Sequence, residues 1–473
     1  MTKSIMASTV RKAVCVNLVL FSIGSFAQDK TKVLDSIFTS LYNKKKFNGN
    51  VLIAEKGKPV FEKSYGIADE ATQRKLDPKT TFELASVSKQ FTAMGIVLLH
   101  KQGKLNYDDK ISKYIPELSF YDKITVRNLL NHTSGLPDYM ELFEKNWDKS
   151  KFAVNDDIVK EFAKYKPALE FEPSQKYEYS NTGYALLGSI IERVSKQSFG
   201  DFLKANIFKP LGMDHTLVYR SRYKPQTIAN YALGYEEDNS GKKVLLDSYG
   251  KEFYTYYLDG VVGDGMVNST VEDLLKWDRA LYTNKLVNDD DKKLIFNDVT
   301  TGDGKQSGYG FGWKVKNSPK YGKIANHSGG WSGYVTYIER HMDNDKTFIL
   351  LQNNMTRKTV VPIDEIRKVL YNEKLDVEKP LKAATPTDTQ LNSYTGVYSA
   401  PNFPMKLKVF VQDHVLYIQA IAEGQEPVKL TAYENHIFTN EEDEIKMTFN
   451  PELKTIDFNQ GKSLKLKFTK DKE

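Results

Sequence analysis

Apolar positions recur at helical spacing over residues 28–48, where Val33, Ile37, Leu41 and Tyr42 share a face, and the pattern predicts a helix. The pattern then breaks into short runs. Asn50–Ala54 reads as a strand, Gly57-Lys58 as a turn and Pro59–Tyr65 as the hairpin partner. Ser86 opens a second helical run through Phe91 to Leu99 that ends near Gly103. A third begins after Tyr179, with Ala185, Leu186, Leu187, Ile190, Ile191 and Val194 on one stripe. Residues 258–268 are glycine-rich, which suits a cleft lining or a close packing contact, and Val271–Leu281 reads as the helix after them. Between Tyr309 and Gln352 the segments Tyr309–Val315, Gly333–Arg340 and Thr347–Gln352 alternate or run apolar. They predict an antiparallel sheet, followed by a closing helix over 361–371.

Near residue 374 the composition changes. Lys, Asp, Thr and Ala with Pro380 and Pro386 make 374–390 a linker. Beyond it, 391–473 holds only short alternating segments, among them Met405–Val411, Val415–Ala420, Ile445–Phe449 and Ser463–Phe468. That pattern predicts an all-β domain, a small barrel.

The first 27 residues stand apart. Lys3, Arg11 and Lys12 precede an apolar run from Ala13 to Phe26, and small residues flank Phe26 before Ala27/Gln28. This is the three-part form of a secretory leader, and the apolar run is shorter than the roughly 20 residues that span a bilayer. The expected divisions are therefore a leader over 1–27, a main domain over 28–373, the linker and the β domain. The expected place of work is across the inner membrane of a bacterium, periplasmic or extracellular, with no transmembrane span in the mature chain. The one cysteine, Cys15, lies within the leader, so neither a disulfide nor a cysteine nucleophile is expected after cleavage. Of the formal charge of +6, three cations belong to the leader, which leaves +3 spread among mixed charges. No basic face is clustered enough to suggest nucleic acid.

Chemistry enters at Ser86-Val87-Ser88-Lys89. Residues three apart on a helix share a face, so the hydroxyl and the amine sit side by side, a nucleophile next to a base. The same spacing at Ser221–Lys224, Ser240–Lys243 and Ser248–Lys251 meets Pro225, a turn-like Asn-Ser-Gly and Gly250 respectively. Of the seven histidines, His100 lies more than three turns from Ser86, His215, His341, His414 and His436 have no acidic partner at suggestive spacing, and His132 and His327 belong to turn-rich stretches; H-E-x-x-H is absent, and so is G-x-S-x-G. No phosphate loop is spelled out either: 258–268 lacks the lysine, and Gly302–Lys305 and Gly461–Ser463 lack the first glycine. No cofactor and no metal are expected.

Three motifs in order carry a resemblance: Ser86-Val87-Ser88-Lys89, Tyr179-Ser180-Asn181 and His327-Ser328-Gly329, with Asn131-His132-Thr133-Ser134-Gly135-Leu136-Pro137 and Pro210-Leu211-Gly212-Met213 between them. Over roughly 30–372 the chain resembles the β-lactamase-related serine hydrolases of the penicillin-binding fold. The branch with Y-x-N in the middle includes class C β-lactamases, D-Ala-D-Ala carboxypeptidases, D-aminopeptidases and β-lactamase-like esterases. The resemblance implies an α/β fold, an antiparallel sheet flanked by helices.

It also implies roles. Ser86 would form the acyl-enzyme, with its own N–H and that of Gly330 as the oxyanion donors. Lys89 and Tyr179 would share the proton steps, and the choice of acylation base between them stays open. Asn181, His327, Ser328 and Gly329 would contact substrate, a small molecule or a peptide. A lysine usually opens the third motif as a fixed cation for a substrate carboxylate. His327, only partly charged near neutrality, would hold a carboxylate less firmly, which favours a peptidase or esterase over a β-lactamase. The alternatives are a true class C-like β-lactamase, or a non-catalytic peptide- or cell-wall-binding protein on the same fold. Oligomeric state stays open.

Overall fold

The computed structural model describes residues 30–238, 241–375, 381–401, 403–422, 424–461 and 464–472. The leader, Cys15 and residues 376–380 of the linker lie outside them. The chain divides into two compact units between Leu375 and Asp376.

The first unit is organised on a six-stranded antiparallel sheet. Its order is Lys314–Ser318, Gly322–Trp331, Tyr334–His341, Lys346–Gln352, Gly49–Glu55, Lys58–Tyr65. Successive strand residues point to opposite faces, and here both faces are covered. Val51, Ile53, Phe348 and Leu350 join one core, with Leu34 and Phe38 from the helix over 30–43 and Ile366 from helix Ile363–Leu370. Leu52, Ala54, Ile349 and Leu351 join the larger core on the other face, which contains Phe91, Ile96 and Ile190 from the two main helices, Lys89–Lys101 and Asn181–Ser195. Central strands buried on both sides read as continuous apolar runs, and Ile349-Leu350-Leu351 shows it.

The expected fold class is present, with local differences. The N-terminal helix buries Leu34 and Phe38 fully, one residue beyond the expected stripe, and leaves Tyr42 exposed. The segment from Tyr309 is strand only from Lys314, because Gly312 takes a positive φ of 78° to pass close to the Lys89 carbonyl.

The second unit is a nine-stranded antiparallel sheet whose end strands, Val428–Lys429 and Thr431–Tyr433, are separated only by Leu430, so it is a nearly closed barrel. Alternate residues such as Val409, Ile418, Met447, Ile456 and Phe468 fill its core. It also contains a short helix, Asp388–Ser393, where a linker was expected, and strands Gly396–Ser399 and Ile437–Asn440 that the pattern did not show.

Candidate active site

Ser86 lies in the 3-10 turn Ala85–Ser88 that leads into helix Lys89–Lys101. Ala85 has a φ of +50°, a conformation that costs a residue with a Cβ on the order of 1–2 kcal/mol. Three hydrogen bonds hold the turn against that strain. Thr336 Oγ1 donates to the Leu84 carbonyl at 2.7 Å, Val267 N–H donates to Ser88 Oγ at 3.0 Å, and Leu84 N–H donates to the Val267 carbonyl at 2.9 Å.

Lys89 is fully buried. Its Nζ lies 3.2 Å from Ser86 Oγ, 3.0 Å from Asn181 Oδ1 and 2.8 Å from the Asp264 carbonyl. The Tyr179 ring centroid is 4.9 Å from the same nitrogen, within cation–π range, so the three expected catalytic side chains meet at the Lys89 amine. Asp264 belongs to the glycine-rich stretch. Gly263 there has a φ of +104°, and a Cβ would meet the Tyr184 carbonyl at 2.4 Å, so the close approach requires glycine. Its carbonyl also accepts from Thr92 Oγ1 at 2.6 Å, which ties the loop to the serine helix.

Helix Asn181–Ser195 fixes the second motif. Ser180 caps it by accepting from Gly183 N–H at 3.1 Å, and Asn181 is its first residue. The Asn181 amide bridges, with Oδ1 on Lys89 and Nδ2 donating to Asp138 at 3.2 Å. His132, at a φ of +57°, accepts from Ser180 N–H on Nδ1 at 3.0 Å, and its ring lies 4.3 Å from that of Tyr179. Burial pushes His132 well below the ordinary imidazole range, and the charge on Lys89 adds to the effect.

The third motif lies on strand Gly322–Trp331. Strand Lys314–Ser318 pairs only as far as Asn326, so residues 327–331 have a bare edge. Trp331 and Tyr334 flank a two-residue turn and exchange hydrogen bonds, so the alternation turns the backbone polar groups of Ser328 and Gly330 off the sheet at that edge. Gly330 N–H is thus presented outward, as its expected oxyanion role requires, and a Cβ there would meet open space. Gly329 is the reverse case. A Cβ would meet Thr336 Oγ1 at 2.1 Å and the Leu84 carbonyl at 2.2 Å.

His327 does not have the state expected of it. It is buried, with Nδ1 2.8 Å from the Ser328 carbonyl and Nε2 2.8 Å from the Tyr309 hydroxyl. A carbonyl only accepts, so Nδ1 carries the proton and Nε2 accepts from Tyr309. Burial, with Lys89 and Lys314 nearby, pushes its pKa to about 3. The partly charged imidazole expected at this position is instead neutral, with both nitrogens engaged inside the protein.

Asp138, His132, Tyr309 and Asp264 support the site without having been expected there. His132 stood within a recognisable motif. The contribution of Asp264 is a backbone carbonyl, for which side-chain patterns hold no signal.

A family model described as Beta-lactamase matches residues 34–372. Penicillin-binding protein 4* of Bacillus subtilis (strain 168) is 44% identical over 377 residues, which is 78% of this chain and 83% of that protein. Among solved structures, the octameric penicillin-binding protein homologue from Pyrococcus abyssi aligns with a TM-score of 0.64 at 21% identity, over 93% of this chain and 99% of that one. D-amino acid amidase from Ochrobactrum anthropi SV3 aligns with a TM-score of 0.59 at 24% identity, over 74% and 99%. Both likenesses are of fold.

Proposed function

The chain belongs to the Beta-lactamase family of serine hydrolases, and we propose that it cleaves an ester or amide through an acyl-enzyme on Ser86. The observation that carries the proposal is the setting of Lys89. Two of its three partners, Asn181 Oδ1 and the Asp264 carbonyl, can only accept hydrogen bonds. Lys89 spends two of its positions on them, and the third faces the Ser86 hydroxyl 3.2 Å away. The amine takes the serine proton as Oγ attacks the carbonyl carbon. Ser86 N–H and Gly330 N–H receive the developing oxyanion. Tyr179, over the same amine, passes the proton to the leaving group and serves the hydrolytic water.

Substrate class follows from His327. A neutral imidazole already bonded at both nitrogens offers no charge to a substrate carboxylate. Esters, amides and peptides lacking a carboxylate at that position suit the site better than C-terminal D-Ala-D-Ala. Penicillin binding, named in the Bacillus subtilis relative, supports β-lactams as acylating probes. Export by the leader over 1–27 belongs to the same proposal.

Intact-mass labelling with a fluorophosphonate and with a penicillin, on wild type and Ser86→Ala, tests the nucleophile. One adduct on wild type and none on the variant is expected; an adduct that persists on the variant overturns the assignment. Turnover of a p-nitrophenyl ester, a D-amino acid amide, a D-Ala-D-Ala peptide and a cephalosporin then ranks the substrates, with the first two expected to lead.

A further inference from the structure

Three residues before the nucleophile, strand Phe82–Glu83 holds a carboxyl group that the mechanism does not use. Glu83 is 7% exposed and forms no ion pair among the described residues. The cation whose charge acts on it, Arg222, is engaged elsewhere: Nε donates to Asp247 at 2.6 Å, and Nη1 reaches the Thr255 carbonyl at 3.2 Å and Asp259 at 3.5 Å. Asp259 also faces Glu83, and so do Tyr231 and Tyr334, whose hydroxyls are bonded to each other at 3.1 Å. A buried carboxylate without a paired cation, beside a second carboxylate, is in an unfavourable place.

The residue opposite it has the complementary deficit. Asn268 is Glu83's cross-strand partner, so the two side chains rise on one face with Cβ atoms about 5 Å apart. Asn268 Nδ2 donates to the carbonyls of Met266 and Tyr219, at 3.0 and 3.3 Å, which fixes the amide orientation. Its Oδ1 is then a buried acceptor with no partner. Such an acceptor costs about 1–3 kcal/mol unless a donor serves it. The only proton a glutamate side chain can offer is that of its acid form.

We propose that Glu83 is a positioning residue that works as a neutral carboxylic acid, its O–H serving Asn268 Oδ1, and that this pair fixes the strand leading into the Ser86 turn. The consequence is a pH limit at the nucleophile. Burial, and then the repulsion of Asp259, raise the Glu83 pKa to about 8. Above that, the acid loses its proton, the acceptor loses its donor, and the turn at Leu84–Ser86 loosens.

The catalytic part of the test rests on the serine hydrolase reading; the stability part does not. Fluorophosphonate acylation of Ser86 is followed from pH 6.5 to 9.5 in wild type, Glu83→Gln and Glu83→Ala. The amide in Glu83→Gln supplies an N–H that does not titrate. It should stay within threefold of wild type at pH 7 and hold that rate at pH 9, where wild type falls by about tenfold. Glu83→Ala should lose tenfold or more at pH 7. Superimposable profiles for wild type and Glu83→Gln, or a Glu83→Gln variant as slow as Glu83→Ala, overturn the proposal.

Urea unfolding of wild type and Glu83→Gln supplies the independent reading. A folded-state pKa raised from the ordinary 4.5 to about 8 makes wild type lose stability as pH rises from 4.5 to 8. The midpoint gap should therefore widen in favour of the amide across that window and stay constant above it. A gap independent of pH overturns the proposal, whether or not Ser86 is acylated.

Discussion

Gly329 lies against the backbone of Leu84 so closely that a Cβ on the glycine would come within 2.2 Å of the Leu84 carbonyl oxygen. That oxygen also accepts the Thr336 hydroxyl at 2.7 Å. The strand carrying the third motif is thus seated on the turn carrying the nucleophile. Gly329→Ala must push the two apart, and a displacement of about 1 Å costs on the order of 100-fold in a positioned reaction. Fluorophosphonate labelling of Gly329→Ala should slow by at least that factor, with stability reduced by about 1–3 kcal/mol in thermal unfolding. Gly330→Ala is the control. Its Cβ enters open space, so it should fold and label normally and alter only the handling of bulky substrates. The reverse ranking of the two variants would contradict the placement of the strand.

His327 and His132 make the fold sensitive to acid. Burial holds both imidazoles neutral in the folded state, with His327 at about 3 against an ordinary 6.5. The unfolded chain binds protons below pH 6.5 that the folded chain refuses, so stability is fully present above 6.5 and is lost as pH falls toward 3. At pH 5 the loss from His327 alone is about 2 kcal/mol. His327→Gln should be less sensitive to acid than wild type in urea unfolding at pH 7 and pH 5. Nitrogen NMR should show the His327 ring unchanged from pH 7 to 5, with its proton on Nδ1. A ring that titrates near 6.5 would restore a partly charged anchor and make substrate carboxylates acceptable at this position.

Each unit has its own core, one built around Leu52, Phe91 and Ile349, the other around Met447, Ile456 and Phe468. The Ser86, Lys89, Tyr179 and His327 cluster lies wholly within the first unit. A chain ending at Leu375 should therefore fold and label at Ser86 at a rate within about threefold of the full chain. Substrate preference across the ester, amide and peptide panel should change more than that rate. Loss of labelling in a truncated chain with a cooperative thermal transition would tie the barrel to acylation itself.

The central strands and the two main helices were legible because their apolar periods are long, as in Ile349-Leu350-Leu351, whereas strand Gly322–Trp331 was not among the expected segments, its Asn326, His327, Ser328 and glycines giving no apolar run. Strands Gly396–Ser399 and Ile437–Asn440 were not, since four residues are too few to establish a period of two. Ser86 and Lys89 could be paired in advance because one helical turn sets their separation. The ionisation of His327 could not, because it depends on Lys89, Lys314 and Tyr309, which only the tertiary structure brings to it. The strain at Ala85 was equally hidden. Nothing in Leu84-Ala85-Ser86 asks for a positive φ until Thr336 and Val267 are in place.

Asn181 is the most direct probe of the lysine. Its Oδ1 occupies one Lys89 N–H, and its Nδ2 holds Asp138. Asn181→Ala removes an acceptor and frees the amine to rotate away from Ser86; acylation should slow by about 10- to 100-fold with the fold intact. Asn181→Asp keeps an acceptor of the same size but places a carboxylate on the amine and against Asp138. The charge favours the protonated amine, which has no lone pair for the serine. Asn181→Asp should therefore acylate more slowly than Asn181→Ala at pH 7 and recover part of the difference as pH rises toward 10. Stopped-flow acylation by an activated ester across that range distinguishes the two. Equal rates at every pH would mean that Lys89 is not the acylation base, and the assignment would pass to Tyr179.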